Sequence, residues 1–310
     1  MITLRFLLVL LLAGSASASD LQTRLEKMAA PHPGKVALFA KNLTTGETVA
    51  INADTPVKTA SVIKLPIMVE AFAEVKEGKR SLDDKVTLRG EEKVFGSGVF
   101  HFLRDGLQLT VEETIWNMMI FSDNTATNLM INMLTTSAVN ARLQKLGLKN
   151  TWLYKKIGRP ATEPMPADQK QFGLGKTTAR EMGRLLEWLA RCELNDEKLC
   201  RQMIWIMRNQ QDRTMLARYL EAQDTTEEET PSYVAAKLGA LNQVRNDVGI
   251  VYTKAGPIVI AAFTYDNKDE SWTPDNRALL LVAGFAREIV KAWSPTGMQT
   301  SGEVPLRKAN

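Results

Sequence analysis

Hydrophobic residues recur along the chain with two different periods. Near both ends they fall at every second position, which is typical of strands. Between about residues 82 and 220 they recur at every third or fourth position, which is typical of amphipathic helices. The predicted strands cover residues 35–43, 47–51, 234–241, 248–253 and 258–265. Because they lie on both sides of the helical part, they predict one antiparallel sheet built from both ends of the chain.

Helices are predicted beside this sheet at both ends of the chain. Residues 20–30 place Leu21 and Leu25 on one helical face, and a last helix, capped by Asp275, ends at Trp293. The predicted fold class is therefore α/β of the α+β type. It consists of an antiparallel sheet flanked by N- and C-terminal helices, with an inserted all-helical domain.

The boundaries follow from these patterns. We expect a sheet subdomain over 19–58 and 222–293, a helical subdomain over 59–221, and a polar tail over 294–310. The loop over 150–176 is polar and rich in Pro and Gly, and ordered loops of this length usually have a functional reason. A cleft between the sheet and the helices is a natural ligand site.

Three helix starts are predicted from local signals. Thr110 with Glu113 has the spacing of a capping box, and Thr178, with Glu181 three residues later, is predicted to cap the next helix. Pro66 is best tolerated in a first helical turn, so its helix should begin close to residue 61.

The first 18 residues have the pattern of a signal peptide. Arg5 gives a basic start, residues 6–13 are apolar but too few to span a bilayer, and residues 16–18 form a small-residue cleavage site. No cysteine follows the apolar run to carry a lipid. We expect a periplasmic or secreted protein that starts near Ser19 and has no membrane anchor.

Composition argues against several functions. A formal charge of +4 over 310 residues, with no outstanding run of Lys or Arg, gives no reason to expect a nucleic-acid partner. Two His and two Cys make a metal cluster unexpected, and no cofactor is expected. In an oxidising compartment Cys192 and Cys200 either form a local disulfide or remain as two thiols.

Three short motifs indicate chemistry. In the first, Ser61 and Lys64 are three residues apart and lie on one helical face. A lysine whose pKa is lowered by burial or by other cations can take the proton of a nucleophilic hydroxyl. The alternative is a helix start with a solvated lysine.

The second motif is Ser-Asp-Asn at residues 122–124, between two predicted helices. Its serine can relay a proton and its amide can bind a substrate, or the residues only cap a helix. The third is Lys-Leu-Gly at residues 237–239, on a late strand. Its lysine either holds a substrate anion or is an exposed strand lysine.

In this order and at these separations, the motifs resemble those of the penicillin-recognising serine enzymes, above all the class A β-lactamases. The likeness extends from about Asp20 to Trp293. It implies a β-lactamase/transpeptidase-like fold and a serine hydrolase.

The resemblance also implies roles in acylation. Ser61 would be the acylated nucleophile, Lys64 would help remove its proton, and Ser122 would pass a proton to the leaving nitrogen. The backbone N–H groups of Ser61 and Ala240 would form the oxyanion hole.

Substrate binding is implied for three further side chains. Lys237 would hold the substrate carboxylate, with Arg245 as a candidate second clamp, and Asn124 would contact the substrate amide. A second Lys-x-Gly sequence at residues 254–256 precedes Pro257 and lies between strands, so we interpret it as a hairpin turn.

A base for deacylation is implied on the long loop. Glu163 has the family's spacing from Thr177 and Thr178, and it would activate the deacylating water. The alternative is a solvated loop carboxylate.

The sequence departs from the family at three places. Leu238 stands where the third motif has Thr or Ser, so the hydroxyl that bonds the substrate carboxylate is absent. Ala167 stands where an Asn helps to hold the water. The Arg–Asp pair that clasps the loop corresponds to Ala161 and Lys176, which cannot form it.

Three functions are therefore weighed, all for a monomer with a small-molecule substrate. The first is a β-lactamase that works through a Ser61 acyl-enzyme. The second, motivated by Leu238, is a related serine hydrolase or D,D-peptidase-like enzyme acting on another amide or ester. The third is a non-enzymatic binding protein, which the intact Ser61, Lys64, Ser122 and Lys237 argue against.

Overall fold

A computed structural model describes residues 19–162, 164–220, 232–300 and 303–304. The strands are β1 (Lys35–Asn42), β2 (Thr48–Ile51), β3 (Val57–Lys58), β4 (Lys85–Thr87), β5 (Gln108–Thr110), β6 (Trp152–Leu153), β7 (Gly175–Thr177), β8 (Val234–Leu241), β9 (Val244–Thr253) and β10 (Gly256–Tyr265). The helices are α1 (19–29), α2 (Lys64–Lys76), α3 (Val111–Ile120), α4 (Asn124–Leu134), α5 (Thr136–Lys145), α6 (Gln169–Phe172), α7 (Ala179–Ala190), α8 (Glu197–Arg208) and α9 (Arg277–Trp293).

The main sheet is antiparallel and contains strands from both ends of the chain, as predicted. Its order is β2-β1-β10-β9-β8. Strand β1, near the start of the chain, therefore pairs with β10, near its end. Strand β8 is an edge strand, and its free side faces the short turn that precedes α2. This edge positions the candidate site.

Both faces of the sheet are covered. Val36 and Leu38 of β1 pack with α1 and α9, whereas Ala37 and Phe39 face α7. Gly183 lets α7 approach closely, because a Cβ there would lie 2.2 Å from the Phe39 ring. Helix α7 thus covers the sheet although the sequence placed it in the helical subdomain.

The helical part is organised around α2, which contacts α3, α4, α5 and α8. Its residues from Lys64 to Glu74 are all buried, so it is a central helix without a solvent face at its start. Pro66 is its third residue, in the first turn, as predicted. A 3₁₀ turn, Ala60–Ile63, precedes it, so Ser61 lies just before the α-helix.

Three residues were predicted to cap helices, namely Thr110, Thr178 and Asp275, and the first two predictions are confirmed. Thr110 and Glu113 form a complete capping box, and Thr178 accepts a hydrogen bond from the backbone N–H of residue 181. The third was wrong. Asn276, not Asp275, caps α9, because its side chain accepts from the first N–H groups of that helix. Asp275 instead accepts a hydrogen bond from Arg218.

Of the two alternatives for the cysteines, the structure has the disulfide, which joins Cys192 and Cys200 between α7 and α8. The start of the predicted polar tail folds back on the sheet, where Met298 bridges to Thr253. The predicted signal peptide and residues 222–231 of the sheet subdomain lie outside the described residues. In the part of the chain that the structure describes, every helix is too short or too polar to cross a bilayer.

Candidate active site

A cleft of about 760 Å³ lies beside the free edge of β8. Its walls come from the turn before α2, the segment around residue 97, the start of α4, the segments 155–158 and 170–174 of the long loop, and the end of β8. Ser61, Ser122, Asn124, Leu238 and Ala240 all line it. Residues from three distant parts of the sequence therefore meet at one concave surface.

Ser61 is held by the backbone on both sides. Ala60 has a φ of +46°, a left-handed conformation that non-glycine residues rarely adopt and that is often found at functional sites. The Asn246 side chain donates to the carbonyls of Lys58 and Thr59, at 2.9 and 3.3 Å. The position of the Ser61 turn is thus tied to β9.

Gly239 explains why the third motif needs a glycine. A Cβ at this position would lie 2.7 Å from the Thr59 carbonyl oxygen and 2.8 Å from the Ser61 nitrogen. Its absence allows the β8 backbone to pack directly against the Ser61 turn. The next residue, Ala240, then lines the cleft beside Ser61.

Lys64 is fully buried and reaches the second motif. Its ammonium donates to the Ser122 carbonyl at 2.6 Å, to Ser122 Oγ at 3.1 Å and to Asn124 Oδ1 at 3.0 Å. Burial lowers the pKa of Lys64 well below its usual value; the positive charge of Lys237 lowers it further, and Asp123 opposes the shift. A lysine in this setting can act as a base.

Lys237 is also fully buried and approaches Ser122 from β8. Its ammonium donates to Ser122 Oγ at 3.1 Å and to the Leu238 carbonyl at 2.9 Å. Burial lowers the pKa of Lys237 to about 7, against the opposing charges of Asp247 and Asp212. Two lysines thus share one serine hydroxyl.

The backbone of the second motif is fixed by its own side-chain hydrogen bonds. Ser122 has a φ of +54°, again in the left-handed region. Asp123 caps α4 through the Ala126 N–H, and its other oxygen accepts from the N–H groups of Val99 and Phe100. The capping interpretation is correct for Asp123. The side chains of Ser122 and Asn124 instead accept hydrogen bonds from lysine ammonium groups.

The long loop is clasped by an ion pair that the sequence did not predict. Ala161 and Lys176 do not pair with each other, as expected, but Lys176 pairs with Asp168 at 2.5 Å. The Tyr154 hydroxyl donates to the other Asp168 oxygen at 2.6 Å. The loop is therefore clasped, but by a different pair from the one that the family uses. Glu163, the predicted base, lies outside the described residues.

Arg245 is not among the residues that line the cleft. It is 2% exposed, and its guanidinium donates to backbone carbonyls, including that of Ser271 at 2.6 Å. It also lies 4.4 Å from the ring centroid of Trp272, which does line the cleft. The predicted second clamp therefore has its donors engaged elsewhere.

Two further predictions concern the third motif. Leu238 lines the cleft next to Ser122, where the family would have a hydroxyl. The second Lys-x-Gly sequence is a hairpin turn between β9 and β10, as interpreted.

Two polar residues in β9 escaped the sequence interpretation. Besides Asn246, which supports the Ser61 turn, Asp247 is buried and accepts from the Leu216 N–H at 3.0 Å. Burial raises the pKa of Asp247 to about 7. In the sequence, the available signal was two adjacent polar residues directly before the strand predicted from residue 248.

Comparison with known proteins agrees with this geometry. The family model described as the beta-lactamase enzyme family matches residues 20–293. None of the curated proteins compared with the chain matches it.

Solved structures resemble most of the chain. A β-lactamase from Sphaerobacter thermophilus DSM 20745 is 27% identical over 87% of this chain and 96% of that one, with a TM-score of 0.75. PBP-A is 24% identical over 89% and 96%, with a TM-score of 0.75. An ancestral class A β-lactamase is 22% identical over 88% and 99%, with a TM-score of 0.73. The predicted β-lactamase/transpeptidase-like fold is confirmed, and the chain belongs to the beta-lactamase enzyme family.

Proposed function

We propose that this protein is an exported serine hydrolase that opens β-lactam amides through an acyl-enzyme on Ser61. The observation that carries the proposal is the meeting of two buried lysines at one hydroxyl in the cleft that Ser61 also lines. Lys64 and Lys237 each lie 3.1 Å from Ser122 Oγ. A pair of lysines with lowered pKa values can move protons between a nucleophile and a leaving group.

Acylation then proceeds in three proton transfers. Neutral Lys64 takes the Ser61 proton as Oγ attacks the carbonyl carbon, forming the C–O bond. The C–N bond breaks, and Ser122 gives its proton to the leaving nitrogen while Lys64 returns one to Ser122. The N–H groups of Ser61 and Ala240 stabilise the oxyanion, and charged Lys237 attracts the substrate carboxylate.

Deacylation requires a water and a base. In this proposal Glu163 takes a proton from the water, whose oxygen attacks the ester and releases Ser61. Support comes from its spacing in the sequence and from the clasped loop that carries it. The pair formed by Asp168 and Lys176 fixes the adjoining residues of that loop.

Export is part of the proposal. It is supported by the signal-peptide pattern of residues 1–18 and by the disulfide between Cys192 and Cys200. Disulfides form and persist mainly in oxidising compartments.

A second candidate is a related serine hydrolase, D,D-peptidase-like, that acts on a different amide or ester. Leu238 favours it, because the leucine gives no hydroxyl for the substrate carboxylate. Losing one charge-assisted hydrogen bond costs roughly 1.5–3 kcal/mol. The likeness to PBP-A is compatible with both candidates.

One experiment separates them. The purified mature protein is incubated with a chromogenic cephalosporin and with a fluorescent penicillin. Turnover that disappears in Ser61→Ala supports the β-lactamase, whereas lasting label on Ser61 with negligible turnover supports the second candidate. An enzyme that neither turns over nor is labelled would overturn the β-lactam proposal.

A further inference from the structure

We infer that the cleft contains a second anion-binding subsite, formed by Lys58, Lys155 and Lys170, which selects substrates with an additional negative group on the acyl side. These residues are called the wall lysines. The inference rests on the proposed function, because it names the substrate class of the same site. It is separate from the carboxylate position at Lys237, whose ammonium already bonds Ser122.

The cleft is lined by an excess of positive charge. The three wall lysines and Lys156 line it, and the only carboxylate among the described lining residues is Asp212. Lys156 is neutralised by Glu92 at 3.3 Å. The low-dielectric walls of a cleft focus the field of such charges and attract ligands of opposite sign.

The wall lysines differ from nearby lysines in having no protein anion. Within the described residues, neither hydrogen bonds nor ion pairs are formed by their ammonium groups, whereas Lys93 pairs with Asp105 and Lys176 with Asp168. The wall lysines are thus available to a ligand. A free lysine on an open surface is ordinary, but three around one concave site are a specific feature.

The backbone under Lys155 is fixed on both sides. The Tyr154 N–H donates to the Leu174 carbonyl at 2.9 Å, and the Ile157 N–H donates to Asn128 Oδ1 at 2.8 Å. The charge of Lys155 is therefore held on an anchored segment, which reduces the entropy lost when an anion binds.

Lys170 is carried by the short helix α6, next to the Asp168 clasp. Phe172 of the same helix is buried and also lines the cleft. Lys58 comes from β3, just before the Ser61 turn, so the three charges reach the cleft from different elements. We expect the ligand group to be a carboxylate or similar anion on the acyl part of an amide.

A matched pair of penicillins tests this inference. Carbenicillin is benzylpenicillin with a carboxylate on the acyl side chain. The second-order rate constant for acylation of Ser61 is measured for both, and the ratio of carbenicillin to benzylpenicillin is compared between proteins. In the triple variant Lys58→Gln, Lys155→Gln, Lys170→Gln the ratio should fall about fivefold or more, and the wild-type ratio should fall with added salt.

The control removes three lysines that are exposed elsewhere. Lys27→Gln, Lys145→Gln, Lys291→Gln has the same change in net charge and should keep the wild-type ratio. An equal fall in both triple variants, or no fall in the first, would overturn the subsite.

Binding to Ser61→Ala protein separates the two proposals. Dissociation constants of both penicillins are measured by calorimetry, where no acylation is needed. The same dependence on the wall lysines supports the subsite even if wild-type protein is not acylated, which would contradict only the proposed function. A binding ratio that ignores the wall lysines would overturn the subsite.

Discussion

The substitution of Leu238 by threonine tests how this site binds a carboxylate. Leu238 follows Lys237 on β8 and lines the cleft beside Ser122. Threonine would place a hydroxyl at this wall, and β-branched residues suit a strand. Valine has nearly the same shape without the hydroxyl, so Leu238→Val is the matched control.

The expected effect follows from the bond that would form. A hydrogen bond to a charged group contributes about 1.5–3 kcal/mol, which corresponds to about one to two powers of ten in rate. Shortening Leu238 removes similar apolar contacts in both variants, so this loss cancels in their ratio. We therefore expect Leu238→Thr to be acylated by benzylpenicillin about 10 to 100 times faster than Leu238→Val.

Acylation is measured by rapid quench and mass spectrometry, as the rate constant divided by the dissociation constant. The methyl ester of benzylpenicillin, whose carboxylate is blocked, serves as the control substrate and should show little difference between the two variants. Equal acylation of threonine and valine variants by benzylpenicillin would refute the reasoning. It would mean that the hydroxyl of the third motif has no carboxylate to bond in this cleft.

Three other predictions test separate parts of the site and fold. The lowered pKa of Lys237, about 7, means that its charge is lost as the pH rises through 7, so kcat/KM for benzylpenicillin should fall above that pH. Lys237→Arg stays charged, and its alkaline limb should move to higher pH; an unmoved limb would reject the assignment. Glu163→Gln should accumulate acyl-enzyme, visible by mass spectrometry, and unchanged turnover would exclude Glu163 as the base. Replacing Cys192 and Cys200 by serine should lower the free energy of unfolding in urea by about 2.5 kcal/mol, and an unchanged midpoint and slope would contradict this.

The sheet could be predicted from the sequence because its strands have simple periodicity and clear ends. Strand β8 has the predicted bounds, and β10 begins two residues earlier than predicted, at Gly256. Strand β9 begins at Val244, before the predicted start at residue 248. The prediction missed its first residues because Arg245, Asn246 and Asp247 interrupt the apolar pattern. Tertiary contacts bury these polar side chains, and a local pattern cannot reveal such contacts.

Motifs predicted which side chains would meet, but they could not predict how the remaining charges pair. The loop clasp is the ion pair between Lys176 of β7 and Asp168, which precedes α6. No fixed spacing in the sequence defines such a pair. Arg245 was expected to bind substrate from its approximate position, yet its guanidinium donates to carbonyls within its own hairpin and beyond. Partner choice of this kind depends on three-dimensional packing, so it lies beyond a sequence pattern.

The shared contact at Ser122 connects the three motifs physically. Its hydroxyl has one proton and two acceptor positions, and the ammonium groups of Lys64 and Lys237 lie within hydrogen-bond distance of it. When both lysines are charged, they occupy both acceptor positions and repel each other, which favours loss of a proton from Lys64. Neutral Lys64 can then take the Ser61 proton, after which its restored charge makes Ser122 a better proton donor. In this proposal, Lys237 therefore contributes to acylation before any carboxylate binds, by making the neutral form of Lys64 accessible.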